Sequence, residues 1–235
     1  FVWDDVLVVQ DNDALRSFTE LPRLFVSPYL NAEAGLYRPL TMGTLVLNFL
    51  VFGESPWSFH LVNVLLHAFN AWLVCVLAAR LSGDRWCAAL AGAWFLILPI
   101  HTEAIALVVG RSELLAASFS LLALILFIGQ RPTAISSSMP TEPAGSLRCA
   151  LTVAVCFFFA LLSKEHAIAV LPIIVSYVLF RARAERRPVL QALWVARRSL
   201  LWLLCALGLY LDLRLMALGP FAFAGDTTVT IVENP

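Results

Sequence analysis

The chain has 235 residues, of which 60% are hydrophobic and 14% charged, and its mean hydropathy is +0.84. A soluble domain is about half apolar and about a quarter charged, so this composition indicates an integral membrane protein. Sixteen basic residues balance sixteen acidic ones, which gives no support for nucleic-acid binding, and five cysteines without CxxC spacing predict neither a zinc site nor a disulfide framework.

Residues 1–57 form the most polar part of the chain, interrupted by apolar clusters at 21–26 and 45–52. This mixture predicts a long extracytoplasmic loop that contains short interfacial helices. The chain begins with Phe1 and has no basic leader segment, so we expect a piece of a longer protein with a membrane helix before this residue.

The first membrane span is predicted over residues 57–81, which carry four polar side chains at steps of three, four and three. His60, Asn63, His67 and Asn70 therefore share one face of a helix, directed toward the interior of a bundle. Such a face lines a water-filled cavity or makes hydrogen bonds between helices, and the sequence leaves both interpretations open.

Five further apolar runs follow, and together with the first they predict an all-α polytopic bundle over residues 58–218. A tight turn at 82–85, a flexible loop at 129–148 and a basic loop at 181–198 connect them, and a polar tail of strand-like composition covers 219–235. The remaining runs are 88–100, 114–128, 149–162, 167–180 and 200–218.

Two short intervals concentrate ionisable residues between apolar runs. Residues 98–113 include His101, Glu103, Arg111 and Glu113, and the turn at 163–166 holds Lys164, the only lysine in the chain, beside Glu165. Charges at the edge of a membrane are costly, so this concentration favours a functional site over a solvated turn. The flanking runs are short for full spans, which predicts that the first interval dips into the membrane.

The arginines predict the orientation. Ten of the sixteen basic residues lie in the alternate loops 80–86, 129–148 and 181–198, which are therefore expected to face the cytoplasm. The N-terminal loop, the two charged turns and the tail then share the opposite side. Three polar segments are thus predicted to converge on one extracytoplasmic surface, as a membrane-embedded transferase requires.

The same intervals carry a set of ordered motifs. They are FVWDD at 1–5, YRPLT at 37–41, FHLVNVLLH at 59–67, PIHTEA at 99–104, VGRSELL at 109–115, LSKE at 162–165, YLDLR at 210–214 and ENP at 233–235. In this order they resemble the transmembrane O-mannosyltransferases that carry tetratricopeptide repeats, the TMTC family, and their bacterial relatives.

The resemblance implies a GT-C glycosyltransferase fold in an integral membrane protein. It also implies a polyprenyl-phosphate-linked sugar donor, dolichyl-phosphate mannose in eukaryotes, and a Ser or Thr acceptor in a secretory protein. The segment before Tyr37 and the residue His166 depart from the eukaryotic motifs, and fifteen arginines accompany one lysine. These departures favour a bacterial relative in the inner membrane over a protein of the endoplasmic reticulum.

Roles for the charged residues follow from this resemblance. An acceptor hydroxyl needs a general base, which family analogy assigns to the Asp4-Asp5 pair, with Asp5 preferred and Glu103 as the next candidate. The leaving lipid phosphate needs cations, for which Arg38, Arg111 and Lys164 are candidates. The remaining predicted substrate-binding residues are His60, His67, His101, Glu113 and Glu165; His101 and Glu103 orient substrate or bind a divalent ion, although two residues do not make a ligand set.

Two other classes of function stay open from the sequence. The paired charged turns and the polar face of residues 60–70 would suit a transporter or lipid flippase, although no internal repeat is visible. A non-catalytic membrane scaffold for a repeat domain is the third class. The resemblance favours the transferase over both.

Overall fold

The computed structural model describes residues 5–10, 12–16, 18–29, 35–129 and 147–219. These residues form helices joined by short turns, and no strand occurs among them, which confirms the all-α prediction. The helices are α1 (Pro39–Phe52), α2 (Pro56–Ser82), α3 (Arg85–Ile97), α4 (Thr102–Ala106), α5 (Arg111–Gly129), α6 (Leu147–Ser163), α7 (Val170–Ala184) and α8 (Val189–Leu218).

Local sequence signals set several of these boundaries. Proline opens α1 and α2 at their first position, where its missing N–H costs no helical hydrogen bond. Gly83 ends α2 in the left-handed conformation with φ 71°. Asp84 then caps α3, because its Oδ1 accepts hydrogen bonds from the backbone N–H groups of Trp86 at 2.6 Å and Cys87 at 3.1 Å.

Four helical segments within the described ranges are long and apolar enough to cross a membrane: α2, α5, Glu165–Ala184 and α8. The pair Arg85–Ile97 and Pro99–Ala106 would make a fifth span, bent by 51°. Helix α6 has only 17 residues, yet it packs between α5 and α8 in the middle of the bundle. The chain is therefore an integral membrane protein, as its composition predicts.

The prediction for the basic segment 181–198 is wrong over most of its length. Helix α7 continues to Ala184, and α8 begins at Val189 rather than at Leu200. Leu, Gln, Ala and Arg are all good helix formers, so a run of positive charge does not by itself end a helix. With 30 residues, α8 is about 45 Å long and exceeds the hydrocarbon thickness of a bilayer.

Two apolar clusters position the functional end of the molecule. The larger is built around α6, where Phe157 and Leu161 are fully buried against Leu203 of α8. The smaller joins the N-terminal segment to the bundle, because Val8 and Leu15 pack with residues of α1 and α2. The predicted tail from residue 220 and the loop 130–146 lie outside the described residues.

Candidate functional site

The charged interval between α3 and α5 is a bent helical segment. Pro99 cannot continue α3, because it has no N–H to donate, and it starts a single 3-10 turn that leads into α4. A 51° change of direction at this point is the geometry of a broken span or a re-entrant loop. The bend places His101 and Glu103 beside the first turn of α5.

Gly110 allows α4 to lie directly against the start of α5. A Cβ atom at this position would lie 2.4 Å from the carbonyl oxygen of Ala104 and 2.7 Å from its Cα. Since the obstructing atoms belong to the main chain, no side-chain rotation relieves the clash. Glycine is therefore required for the close approach of α4 to the residue that precedes α5.

We expect Gly110→Ala to lower the free energy of unfolding by about 1–3 kcal/mol, because the added methyl group overfills this contact. Thermal unfolding in detergent measures the effect. The matched control is Gly208→Ala in α8, where no atom lies within 4 Å of the new Cβ and alanine favours the helix by roughly 0.5–1 kcal/mol. Equal melting temperatures for the two variants would contradict this interpretation of Gly110.

The second charged turn follows α6 at the same end of the bundle. Lys164 has φ −158° and ψ 136°, an extended conformation that ends α6 and turns the chain into the 3-10 segment Glu165–Ala169. The Thr41 hydroxyl of α1 donates a hydrogen bond to the Ser163 carbonyl oxygen at 3.1 Å. This bond fixes the start of α1, and with it Arg38, beside the turn.

Ion pairs connect the two turns to each other and to α1. Arg38 donates from Nε and from its terminal nitrogen to the two carboxylate oxygens of Glu165, at 3.2 and 2.9 Å. Lys164 Nζ contacts the Glu113 carboxylate, and His166 Nε2 lies 3.1 Å from the other oxygen of the same group. Glu113 of α5 therefore joins α5 to the turn after α6.

Burial shifts the pKa of two groups beside Arg38, namely Tyr37 and Lys164. Tyr37 donates its hydroxyl to the Phe25 carbonyl oxygen at 2.9 Å, and burial raises the pKa of Tyr37 to about 12, so it stays neutral. Burial and the positive charge of Arg38 lower the pKa of Lys164, while the carboxylates of Glu165 and Glu103 act in the opposite direction.

A cavity of about 570 Å³ opens between these segments. A volume of this size suits a small-molecule group. Apolar side chains of α3, α5 and α7 form part of its wall, and charged groups of both turns form the rest. The predicted site residues that line it are Arg38, His67, His101, Glu103, Glu113 and Lys164.

Two histidines and a phenylalanine form one wall of this cavity. His67 stacks on Phe95 with ring centroids 5.5 Å apart, and its centroid lies 5.3 Å from that of His101. His67 is 5% exposed, and its Nε2 lies 3.1 Å from the Leu96 carbonyl oxygen. The polar face of α2 therefore reaches the cavity at His67 and at Asn70.

The other members of that polar face have mixed environments. Asn63 and Asn70 are buried and donate hydrogen bonds to the carbonyl oxygens of Leu107 and Leu114, at 2.8 and 2.9 Å. His60 is only half-buried and does not line the cavity. Both features occur on this face: Asn63 and Asn70 make interhelical hydrogen bonds, and Asn70 lines the cavity together with His67.

The preferred base, Asp5, is buried next to the cavity. Its carboxylate is part of a residue that is 1% exposed, and Oδ1 accepts a hydrogen bond from the backbone N–H of Val109 at 3.1 Å. The other oxygen, Oδ2, is buried without a hydrogen-bond partner among the described residues. Val109 itself lines the cavity, but Asp5 does not, and Asp4 lies outside the described residues.

The structure does not support Arg111 as a cation for a phosphate. Its side chain is 0% exposed and does not line the cavity. The guanidinium donates to Asn63 Oδ1 at 3.1 Å, to Asn48 Oδ1 at 2.9 Å and to two backbone carbonyl oxygens, of Thr44 and Phe59. Because these bonds hold α1, α2 and α5 together, Arg111 is a structural residue.

The described residues place no third metal-binding side chain beside His101 and Glu103. Within the described ranges, no group of three or more His, Cys, Asp or Glu side chains is placed to hold a metal ion. The charged wall instead consists of paired cations and carboxylates, which suits an anionic ligand that displaces a carboxylate.

Sequence reasoning missed three residues of the site. Phe95 carried no signal, because one phenylalanine in an apolar run looks like any lipid-facing residue. Tyr29, whose ring lies 5.6 Å from the Arg38 guanidinium carbon, sits in a stretch with weak helical pattern. His166 was visible beside Lys164 and would have been found by treating the whole turn as one unit.

Comparison with known proteins identifies clear relatives. The chain is 34% identical over 186 residues to the mouse protein O-mannosyl-transferase TMTC2 and 34% identical over 196 residues to the human protein O-mannosyl-transferase TMTC3. These alignments cover 77% and 81% of this chain, and 22% and 20% of the relatives. Drosophila protein O-mannosyl-transferase Tmtc1 is 35% identical over 177 residues, 73% of this chain and 19% of that protein.

The chain thus spans about a fifth of the length of the curated relatives it matches. No protein-family model matches it, and no solved structure does.

Proposed function

The chain belongs to the TMTC family of protein O-mannosyl-transferases, and from this membership we propose that it acts in a membrane glycosyltransferase. The enzyme moves a mannose-like sugar from a polyprenyl phosphate to a Ser or Thr hydroxyl of a protein. The observation that carries the proposal is that both charged turns of a largely apolar chain line one cavity.

Lys164 and Arg38 bind the phosphate of the donor. Each is paired with a carboxylate in the absence of ligand, Arg38 by two hydrogen bonds and Lys164 by contact with Glu113. A phosphate oxygen takes the place of Glu113 at Lys164, because a lysine ammonium is a compact charge that exchanges partners readily. Glu113 keeps its contact with His166, while Glu165 continues to orient Arg38.

The reaction is a single displacement at the anomeric carbon, with inversion. The acceptor oxygen forms the new bond to that carbon as the bond to the phosphate oxygen breaks, and the phosphate leaves with the electron pair. Asp5 Oδ2 takes the hydroxyl proton, since it is the carboxylate oxygen that lacks a partner among the described residues. The backbone N–H of Val109 holds the other oxygen in place.

The cavity opens on the extracytoplasmic side. This orientation is proposed from the arginine bias, because Arg85, Arg183 and Arg186 lie at connections on the other end of the bundle. The acceptor protein then meets the cavity where secretory proteins are exposed.

The direct test uses the full-length protein, purified in detergent or nanodiscs, with radiolabelled polyprenyl-phosphate mannose and a Ser/Thr-rich acceptor. We expect label to move to the acceptor hydroxyl with inverted anomeric configuration. Release of free polyprenyl phosphate in step with that transfer would account for the leaving group. Hydrolysis of the donor without acceptor labelling, or no turnover at all, would refute the proposal.

Lys164→Gln is expected to raise the KM for the donor about 10- to 100-fold, since a charge-assisted hydrogen bond contributes about 1.5–3 kcal/mol. Initial rates over a range of donor concentrations measure the change. Arg198→Gln, an exposed charge near the start of α8, is the matched control and should leave the KM unaltered.

The pH dependence of the same KM tests the charge itself. Burial and Arg38 lower the pKa of Lys164 below its usual 10.5, and a lysine is charged below its pKa and neutral above it. The donor KM should therefore begin to rise at a lower pH than it would if Lys164 had the usual pKa of a lysine. Lys164→Arg should remove this rise; identical pH profiles for the two proteins would exclude Lys164 as the titrating group.

A further inference from the structure

We propose that His67 and His101 form a subsite that binds a hydroxyl group of the donor's sugar. This inference rests on the proposed function and adds the orientation of the donor within the cavity. The sugar lies against the wall formed by α2 and α3, and the phosphate lies at the turn after α6.

The first observation is the hydrogen-bonding state of His67. Its Nε2 lies 3.1 Å from the Leu96 carbonyl oxygen, and a carbonyl oxygen can only accept, so Nε2 carries the ring proton. In the neutral ring Nδ1 then holds a lone pair. This Nδ1 is buried and has no hydrogen-bond partner among the described residues, and His67 is 5% exposed. His67 thus holds an acceptor nitrogen that no described residue uses, in a side chain that lines the cavity.

The second observation is the matching nitrogen of His101. Its Nε2 is also buried without a hydrogen-bond partner in the described ranges. The two ring centroids lie 5.3 Å apart, and Phe95 lies 5.5 Å from His67 and 4.2 Å from His101. All three side chains line the same cavity. Buried polar atoms normally have a hydrogen-bond partner, so two unpaired nitrogens at one wall indicate that a ligand binds there.

The chemistry of these nitrogens selects the group that they bind. A hydroxyl can donate its proton to His67 Nδ1 and accept a hydrogen bond from His101 Nε2–H at the same time. A phosphate oxygen only accepts, so it would leave His67 Nδ1 unpaired. The positively charged groups that a phosphate prefers, Lys164 and Arg38, line the cavity elsewhere.

The test compares two substitutions against three ligands. His101→Phe keeps the shape of the ring and removes its nitrogens, and His67→Gln replaces the imidazole by an amide that can still bond Leu96. The ligands are polyprenyl-phosphate mannose, a series of donors that each lack one sugar hydroxyl, and polyprenyl phosphate without sugar, used as a competitive inhibitor. Thermal unfolding of each variant establishes that it is folded.

We expect His101→Phe to lower kcat/KM for the complete donor about 10- to 100-fold, the usual effect of leaving one buried partner unpaired. The inhibition constant of sugar-free polyprenyl phosphate should stay within twofold of wild type. One deoxy donor should be used equally well by wild type and variant, because it lacks the hydroxyl that His101 binds. Lys164→Gln should show the reverse pattern, with weaker inhibition by sugar-free polyprenyl phosphate.

If His101→Phe proves unfolded, His67→Gln with the deoxy series decides the matter by the same criterion. The subsite is overturned if both folded variants keep the wild-type kcat/KM, if the loss is the same for every deoxy donor, or if sugar-free polyprenyl phosphate binds less well. Wild-type protein that turns over no sugar donor would instead refute the proposed function, and the subsite with it.

Discussion

Asp5→Asn is expected to reduce sugar transfer by about two to four orders of magnitude, the usual contribution of a general base. Asparagine keeps the size of the side chain and can accept the hydrogen bond from the backbone N–H of Val109, but its amide cannot take a proton from the acceptor. The protein should remain folded, since Oδ2 has no partner among the described residues that the substitution would remove. Transfer of labelled sugar to acceptor, measured at saturating donor, gives the result.

The KM for the donor should change little in Asp5→Asn, because the proposed phosphate contacts lie at Lys164 and Arg38. Asp84→Asn is the matched control. It removes a carboxylate from the opposite end of the bundle, where asparagine caps α3 about as well as aspartate.

Asp4 is the complication for this experiment. If Asp4 can replace its neighbour, only the double variant Asp4→Asn, Asp5→Asn will be inactive. Near-normal transfer by the double variant would remove the pair from the mechanism. Glu103, an exposed carboxylate in the cavity wall, would then be tested by Glu103→Gln.

The apolar runs predicted most of the bundle, because a chain that crosses lipid must satisfy its backbone hydrogen bonds internally and therefore forms helices. The polar face of α2 and the turn at 82–85 followed from spacing and from glycine and aspartate chemistry. The start of α8 did not, because arginine is a good helix former and a run of positive charge does not by itself end a helix; Arg197 and Arg198 lie within α8. The 14-residue helix α1 is also longer than the interfacial segment 45–52 that the sequence indicated.

The charged end of the bundle was predictable in outline and not in detail. Alternating spans place the turns at His101 and Lys164 on one side, and the structure brings both to one cavity. The pairing of Arg38 with Glu165 joins residues 127 positions apart, so no local pattern could reveal it. Sequence also cannot distinguish a cation that faces a cavity from one that is buried in protein, so the motif around Arg111 predicts a phosphate-binding role that its burial does not support.

Arg111→Ala is expected to destabilise the protein by about 3–5 kcal/mol, as when one member of a buried charged network is removed. The substitution removes the donor to Asn48 Oδ1 and Asn63 Oδ1 at a site that is almost fully buried. It also removes the cation that lies 5.5 Å from the centre of the Phe59 ring. The yield of folded protein and its melting temperature should both fall.

Arg111→Lys should restore little of this stability, although it keeps the positive charge. The guanidinium donates in several directions at once from a planar group, and a lysine ammonium on a flexible chain cannot reproduce that geometry. Arg80→Ala is the matched control, because Arg80 is exposed and makes one hydrogen bond to the Ile125 carbonyl oxygen at 2.8 Å. Its removal should cost about 1 kcal/mol or less.

The folded fraction of Arg111→Lys separates a structural role from a role in donor binding. Since Arg111 does not line the cavity, the donor KM of that fraction should equal the wild-type value. A variant with the wild-type melting temperature and a donor KM raised tenfold or more would show the opposite. Arg111 would then bind the lipid phosphate, and α5 would have to turn its first residue toward the cavity when the donor enters.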